Sequence, residues 1–106
     1  MGNAFGTDIL VQTDDPQKAG QFYKQTLGFE ISEERADLVS LRGPKLNLFL
    51  ERGPKLGPVL EVFVDDVAAA KSALIAQGCE ILKDEPAFPR CYVQDPFGLI
   101  FNLAQA

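Results

Sequence analysis

The first half of the chain alternates apolar and polar residues, changes to a helical spacing, and then alternates again. The first alternation predicts a strand over 8–13. Asp15 can cap a helix that begins at Pro16, where the missing N–H costs nothing, and Gly28 can end it. Three residues at helical spacing are predicted to be core: Phe22, Tyr23 and Leu27. Further strands are predicted near 29–33, 36–42 and 45–51.

The second half follows the same order. A strand is predicted over 59–64, Asp66 is the helix cap, and Gly78 ends the helix. The apolar stripe of this helix consists of Val67, Ala70 and Leu74. The run Asp95-Pro96-Phe97-Gly98 suits a type I turn. Further strands are predicted near 79–83, 87–94 and 98–104.

The two halves also match residue by residue. The segment 11–15 matches 62–66 at an offset of 51, and 28–31 matches 78–81 at an offset of 50. Pro44, Leu48 and Phe49 match Pro96, Ile100 and Phe101 at an offset of 52. We therefore predict a single α+β domain over 1–106: two tandem βαβββ modules that form a curved mixed sheet with a concave cleft, and helices on the outside. Module one covers about 6–51, a Gly- and Pro-rich linker covers 52–58, and module two covers about 59–104.

Charge and composition exclude several classes of function. The net charge is −5, from 15 acidic and 10 basic residues, which disfavours binding to nucleic acid. There is no histidine, which excludes Ser-His-Asp and Cys-His catalysis and nearly all metal sites that use imidazole. We expect Cys79 and Cys91 to be free, buried thiols. The N-terminus lacks the pattern of a signal peptide and no run is long enough to span a membrane, so we expect a cytoplasmic protein.

The two modules resemble the vicinal-oxygen-chelate superfamily, which contains glyoxalases, bleomycin-resistance proteins and extradiol dioxygenases. In the first module the matching pattern is Asp15, Ala19 and the run Phe22-Tyr23 … Leu27-Gly28-Phe29. In the second module it is Val64-Asp65-Asp66, Gly78 and Asp95-Pro96-Phe97-Gly98. The resemblance covers nearly the whole chain.

The resemblance also implies four positions at which metal-dependent relatives carry ligands, often His on first strands and Glu on last strands. Here these positions are Asp8, Leu50 or Glu51, Val59 and Asn102. Valine has no ligand atom and asparagine has no charge, so we expect no catalytic metal and no cofactor. Asp8 and Glu51 could hold a hard cation through their carboxylate oxygens.

Strand alternation predicts which side chains line the cleft. Ile9, Val11 and Thr13, with Leu60, Val62 and Val64, should pack on the helices. The ligand-binding candidates are Asp8, Gln12, Leu50, Val59, Glu61, Phe63, Arg90, Tyr92, Gln94 and Asn102. The same parity adds Leu10, Ser40, Arg42, Leu48 and Ile100 to the cleft.

Several of these candidates have more than one reading. Arg42 and Arg90 can orient an anionic group, can pair with Asp8 or Glu61 across the cleft, or can lie at a solvated rim. Tyr92 and Phe63 can stack on a planar ligand or serve as packing. Asp8 and Glu61 can attract a cation, can act as a base if burial raises the pKa, or can be solvated carboxylates.

From these features we expect a small-molecule-binding protein of the metal-free, bleomycin-resistance-like branch, with a cationic or aromatic ligand and a homodimeric assembly. It would bind neither nucleic acid nor membrane, and antibiotic resistance is one role in that branch. The alternative is a divalent-metal-dependent lyase, isomerase or dioxygenase of the same superfamily, so catalysis stays open. A third reading is a domain for oligomerisation or partner binding.

Overall fold

The computed structural model describes residues 4–87 and 90–106. Two short segments lie outside this range. They are residues 1–3, part of the N-terminus in which no signal-peptide pattern was found, and residues 88 and 89 of the predicted strand 87–94. The strands in the first half are β1 (Ala4–Phe5), β2 (Asp8–Thr13), β3 (Glu30–Glu34), β4 (Leu38–Arg42) and β5 (Asn47–Arg52), and the helix is α1 (Pro16–Leu27). The strands in the second half are β6 (Val59–Val64), β7 (Glu80–Glu85), β8 (Arg90–Gln94) and β9 (Ile100–Gln105), and the helix is α2 (Val67–Ala76).

These elements confirm the predicted α+β class and the repeated order of strand, helix and three strands. The contacts divide the described residues into two compact units. We call residues 7–58 the first module, and residues 59–106 together with 4–6 the second module. Both helices begin as predicted, because the Asp15 and Asp66 carboxylates accept hydrogen bonds from backbone N–H groups in the first turn, each at 3.0 Å.

In the first module the strands run in the order β3-β4-β5-β2. β2 and β5 are parallel, with Asp8 opposite Asn47 and Gln12 opposite Glu51, whereas β3, β4 and β5 are antiparallel neighbours. The core lies between this sheet and α1. Its buried residues are Val39, Leu41, Leu48 and Leu50, and Ile9, Val11, Ala19, Tyr23, Phe29 and Ile31 pack against them.

In the second module the strands run in the order β6-β9-β8-β7, and β1 pairs antiparallel with β6. β6 and β9 are parallel, with Val59 opposite Ile100 and Glu61 opposite Asn102. The core lies on the α2 side of the sheet. Its buried residues are Val62, Val64, Cys91, Val93, Phe101 and Leu103, and Leu60, Val67, Ala70, Leu74, Cys79 and Ile81 pack against them.

The predicted Asp95 turn is present. The backbone carbonyl of Asp95 accepts from the N–H of Gly98 at 3.2 Å, and its carboxylate accepts from the N–H groups of Phe97 and Leu99 at 2.8 and 3.0 Å. Gly98 has φ +104°, which favours glycine at this position. The turn therefore fixes the start of β9.

The core prediction for α1 was partly wrong. Tyr23 packs on the core as predicted, but Phe22 and Leu27 are 56% and 62% exposed. The helix turns the stripe of Pro16, Ala19, Gly20 and Tyr23 towards the sheet. Phe22 lies about 100° from Tyr23 around the helix and contacts its ring only edge-on, with centroids 5.3 Å apart. Leu27 is the last residue of the helix.

The predicted side of Leu48 and Leu50 was also wrong. Both pack against α1 in the core, and Leu50 is 0% exposed, so neither lines the opposite face. The cause is the length of one hairpin loop. The Gly43 N–H donates a hydrogen bond to the Leu46 carbonyl across a two-residue loop, whereas the Asp95 N–H donates to the Leu99 carbonyl across a three-residue loop. The last strands of the modules therefore correspond at an offset of 53 rather than 52, and one residue reverses the side of every side chain.

None of the helices in the described part of the chain is long and apolar enough to cross a membrane.

Candidate functional site

Each module has one sheet face against its helix and one face opposite, which we call the open face. The open face of the first module carries polar and aromatic side chains from three strands. They are Asp8 and Gln12 of β2, Ser40 and Arg42 of β4, and Asn47, Phe49 and Glu51 of β5.

The polar residues of β2 and β5 form two separate pairs. The Asn47 amide donates to the Asp8 carboxylate at 3.0 Å, and the Gln12 amide donates to the Glu51 carboxylate at 3.0 Å. Asp8 and Gln12 are four residues apart on one strand, which is about 13 Å. Asp8 and Glu51 therefore lie too far apart to share a cation, and the hard-cation site considered from the sequence does not form.

A cavity of about 430 Å³ lies on this open face. Its lining includes the ring of Phe49 and the polar residues Ser40, Arg42 and Asn47, with Ser32 and Glu33 from β3. The Ser32 hydroxyl donates to the Ser40 carbonyl at 3.1 Å, and Glu33 pairs with Arg35 at 3.2 Å. A cavity of this size with one aromatic wall and several hydrogen-bonding groups has the composition of a small-molecule site.

The open face of the second module combines apolar and polar side chains. It carries Val59, Glu61 and Phe63 of β6, Arg90, Tyr92 and Gln94 of β8, and Ile100 and Asn102 of β9. Val59 and Tyr92 are buried, at 2% and 3% exposure. Strand pairing places Glu61 and Tyr92 on either side of Asn102, so three of the predicted candidates lie in one row.

Arg90 lies against both an aromatic ring and a carboxylate. Its guanidinium carbon is 5.6 Å from the centroid of the Tyr92 ring, and its nitrogen is 3.8 Å from the Glu85 carboxylate across the strand pair. A cation over an aromatic face is favourable, and the contact orders both side chains. This arrangement limits how freely Arg90 can turn towards an anionic ligand.

Both the backbone and the side chain of Glu61 lie close to Gly6. The Gly6 N–H donates to the Glu61 carbonyl at 2.8 Å. A Cβ atom on Gly6 would lie 2.2 Å from the Glu61 carboxylate and 3.0 Å from the Phe63 ring. The missing side chain of Gly6 therefore makes room for the carboxylate and the ring.

The side chain of Asn102 has a structural partner. Its amide oxygen accepts a hydrogen bond from the backbone N–H of Cys91 at 2.8 Å. The ladder between β8 and β9 pairs Tyr92 with Asn102 and does not continue to Cys91. Asn102 therefore replaces the missing backbone acceptor at the point where the two strands part.

The side chains at the four ligand positions implied by the resemblance do not fit a metal centre. With the offset of 53, the first-module position that corresponds to Asn102 is Phe49, rather than Leu50 or Glu51. Phe49 and Val59 have no ligand atom, and one oxygen each of Asp8 and Asn102 already accepts a hydrogen bond. Within 4–87 and 90–106, no three Asp, Glu or Cys residues form a group that could hold a metal ion.

The two thiols lie on the helix side of the second module, away from the open face. Cys79 is partly buried and Cys91 is buried, and both are free. Burial raises the pKa of Cys91; the Asp84 carboxylate raises it further, and Lys71 opposes the shift. Lys71 bonds Asp84 at 2.5 Å, and this hydrogen bond raises the pKa of the lysine. A thiol with a raised pKa is a poor nucleophile at neutral pH.

The sequence-based list omitted part of the first-module cavity. Phe49, Asn47, Ser32 and Glu33 line it but were not candidates. The alternation of β5 contains the signal, because Asn47, Phe49 and Glu51 share one face once the strand is started at Asn47. Counting the two loop lengths would have revealed this register.

Comparison with known proteins agrees with the geometry. A family model described as "Glyoxalase-like domain" matches residues 8–104. No curated protein matches the chain. A glyoxalase/bleomycin resistance protein/dioxygenase superfamily member from Vibrio splendidus 12B01 shares 19% identity and a TM-score of 0.68, with 97% of this chain and 100% of that chain covered.

Two larger proteins also share the fold. Homoprotocatechuate 2,3-dioxygenase from B. fuscum shares 25% identity and a TM-score of 0.61, with 92% of this chain and 31% of that chain covered. The Mn(II)-bound glyoxalase from Novosphingobium aromaticivorans shares 19% identity and a TM-score of 0.62, with 93% and 38% covered. The chain belongs to the glyoxalase-like family, within the vicinal-oxygen-chelate superfamily.

Proposed function

We propose that this protein binds a small aromatic molecule on the open face of its sheet and does so without a catalytic metal. One observation carries the proposal: the positions where metal-dependent relatives hold ligands are occupied here by Phe49, Val59 and Asn102. The oxygen of Asn102 is also used by the Cys91 N–H. The open face keeps aromatic and polar groups, which suit binding better than metal-assisted catalysis.

The first-module cavity is the proposed binding site. Phe49 offers a ring face for stacking, and Arg42 offers a planar donor that suits a carboxylate or another acceptor on the ligand. Asn47 and Ser40 add hydrogen-bonding groups. Of the two ligand classes expected from the sequence, the lining therefore favours an aromatic ligand with an acceptor group over a cationic one.

We further propose that the protein works as a homodimer in the cytoplasm. The proposal rests on the resemblance to small members of the superfamily and on the two free thiols, which suit a reducing compartment. Light scattering after size exclusion checks the assembly, and a monomer at micromolar concentration would contradict it.

A titration with sodium benzoate, followed by amide NMR, tests the binding proposal. We expect saturable shifts on β4 and β5 that are unchanged by EDTA or by diamagnetic ZnCl₂. The Phe49→Ala variant should weaken binding at least severalfold, because it removes the stacking surface. Phe22→Ala is the matched control, since Phe22 is exposed on α1 of the same module.

The competing function is that of a metal-dependent lyase, isomerase or dioxygenase, as in the dioxygenase that shares 25% identity. Benzoate shifts that need zinc, or that disappear with EDTA, would favour this alternative. Shifts that survive unchanged in Phe49→Ala would remove the proposed cavity as the binding site.

A further inference from the structure

The second helix packs on its sheet much less closely than the first. None of the ten residues of α2 is buried, whereas α1 buries Pro16 and Gly20. Five of the ten are alanines, and a methyl group cannot fill the distance between a helix and a sheet. Ala70 and Leu74 face the sheet and are only partly buried. The seam between α2 and the sheet therefore contains unfilled space.

A cavity of about 370 Å³ occupies this seam. Ala70, Ala73 and Leu74 form its helix wall, and Val62 and Phe101 belong to the sheet opposite. Every one of its nine lining residues is apolar. The cavity lies on the helix side of the second module, whereas the proposed benzoate site lies on the open face of the first module, and the two share no lining residue.

The shape and chemistry of the cavity select its ligand. A closed apolar cavity of about 150 Å³ in another protein binds benzene, so this one can hold a larger molecule. Its lining offers no charged or amide side chain that would compensate a charged ligand for its lost water. Phe5 and Leu99 contribute to the lining and are 65% and 40% exposed, so the cavity is open to solvent beside them.

We propose that the seam between α2 and the sheet of the second module is a second ligand site, which takes a neutral, predominantly apolar molecule about the size of two fused aromatic rings. A filled seam restores the close packing that protein interiors normally have. The alternative occupant is a second copy of the chain. A stable interface needs about 20–30 residues from each partner, and the cavity offers nine.

Naphthalene is the probe, and an amide NMR titration of the whole chain is the measurement. We expect saturable shifts on α2, β6 and β9, with the amides of Ala73 and Leu74 among the most affected. Ala70→Leu fills the cavity from the helix wall and should weaken naphthalene binding at least tenfold. Ala69→Leu is the matched control, because Ala69 is an exposed residue of the same helix that does not line the cavity.

Several results would overturn the proposal. They are the absence of saturable shifts up to the solubility of naphthalene, shifts centred on Val59 and Glu61 of the open face, and equal loss of binding in both leucine variants. If light scattering shows a dimer that Ala70→Leu dissociates, the occupant is a second copy. Should Ala70→Leu fail to fold, Ala73→Leu fills the same cavity and carries the same expectation. Failure here leaves the benzoate site untouched, since the two sites share no lining residue.

Discussion

Replacing Leu50 by alanine tests the register of β5, on which the composition of the first-module open face depends. Leu50 is 0% exposed and packs in the core with Val39, Leu41 and Leu48. If the last strands corresponded at the offset of 52, Leu50 would instead lie on the open face. The two registers therefore assign opposite environments to one side chain.

The size of the effect follows from burial. Leucine to alanine at a fully buried site costs about 3–5 kcal/mol, because apolar contacts are lost and a cavity remains. A domain of this size has a total stability of about 5–15 kcal/mol, so the loss is a large share of it. With a urea m value of about 2 kcal/mol/M, the midpoint should fall by about 1.5–2.5 M.

Urea unfolding followed by far-UV circular dichroism measures this change. Leu46→Ala is the matched control, because Leu46 is 45% exposed in the adjacent hairpin, and it should cost under about 0.5 kcal/mol. An unchanged m value would show that both proteins unfold from equally compact states. A Leu50→Ala variant no less stable than Leu46→Ala would refute the register and the open face derived from it.

Three further changes test local features. Asn102→Ala leaves the Cys91 N–H without its acceptor and should cost about 1–2 kcal/mol in urea unfolding, whereas Asn102→Asp keeps an acceptor and should cost less. Because burial raises the pKa of Cys91 in the folded protein, its thiol loses the proton at lower pH in the unfolded state than in the folded state. Stability should therefore fall as pH rises above about 8.5. Cys91→Ala should flatten that fall, which urea titrations at several pH values measure. Asp95→Ala removes the acceptor of Phe97 and Leu99 and should cost about 1 kcal/mol, with faster amide exchange at both residues; unchanged exchange would contradict this role of the turn.

The sequence predicts the elements well where local chemistry determines them. Asp15, Pro16 and Asp66 begin the helices, Gly28 follows the first helix, and the Asp95 turn precedes β9, because caps and turns depend on nearby backbone groups. The internal repeat then supplies the order of the two modules. These signals depend on residues close in sequence, so they can be recognised without knowledge of the tertiary structure.

The sequence predicts the faces less well, because a face depends on counting through loops. The loop before Leu99 is one residue longer than the loop before Leu46. The register taken from the repeat therefore placed Leu50 on the open face, whereas Leu50 lies in the core and Phe49 lies on the open face. The helix that carries Phe22 shows a related limit, since the side it turns to the sheet is chosen by packing against β4 and β5 rather than by its own spacing. The short strand β1 was missed because its pairing with β6 is remote in sequence.

The absence of a catalytic metal is the central claim, and elemental analysis of the protein purified from cells without chelators tests it most directly. The same sample, examined by native mass spectrometry, shows whether a small molecule is retained. The account predicts manganese, iron, zinc and nickel well below one ion per chain, before and after dialysis, with any retained mass being organic. One tightly held ion per chain that resists dialysis would contradict it, because Phe49, Val59 and Asn102 cannot supply such a site.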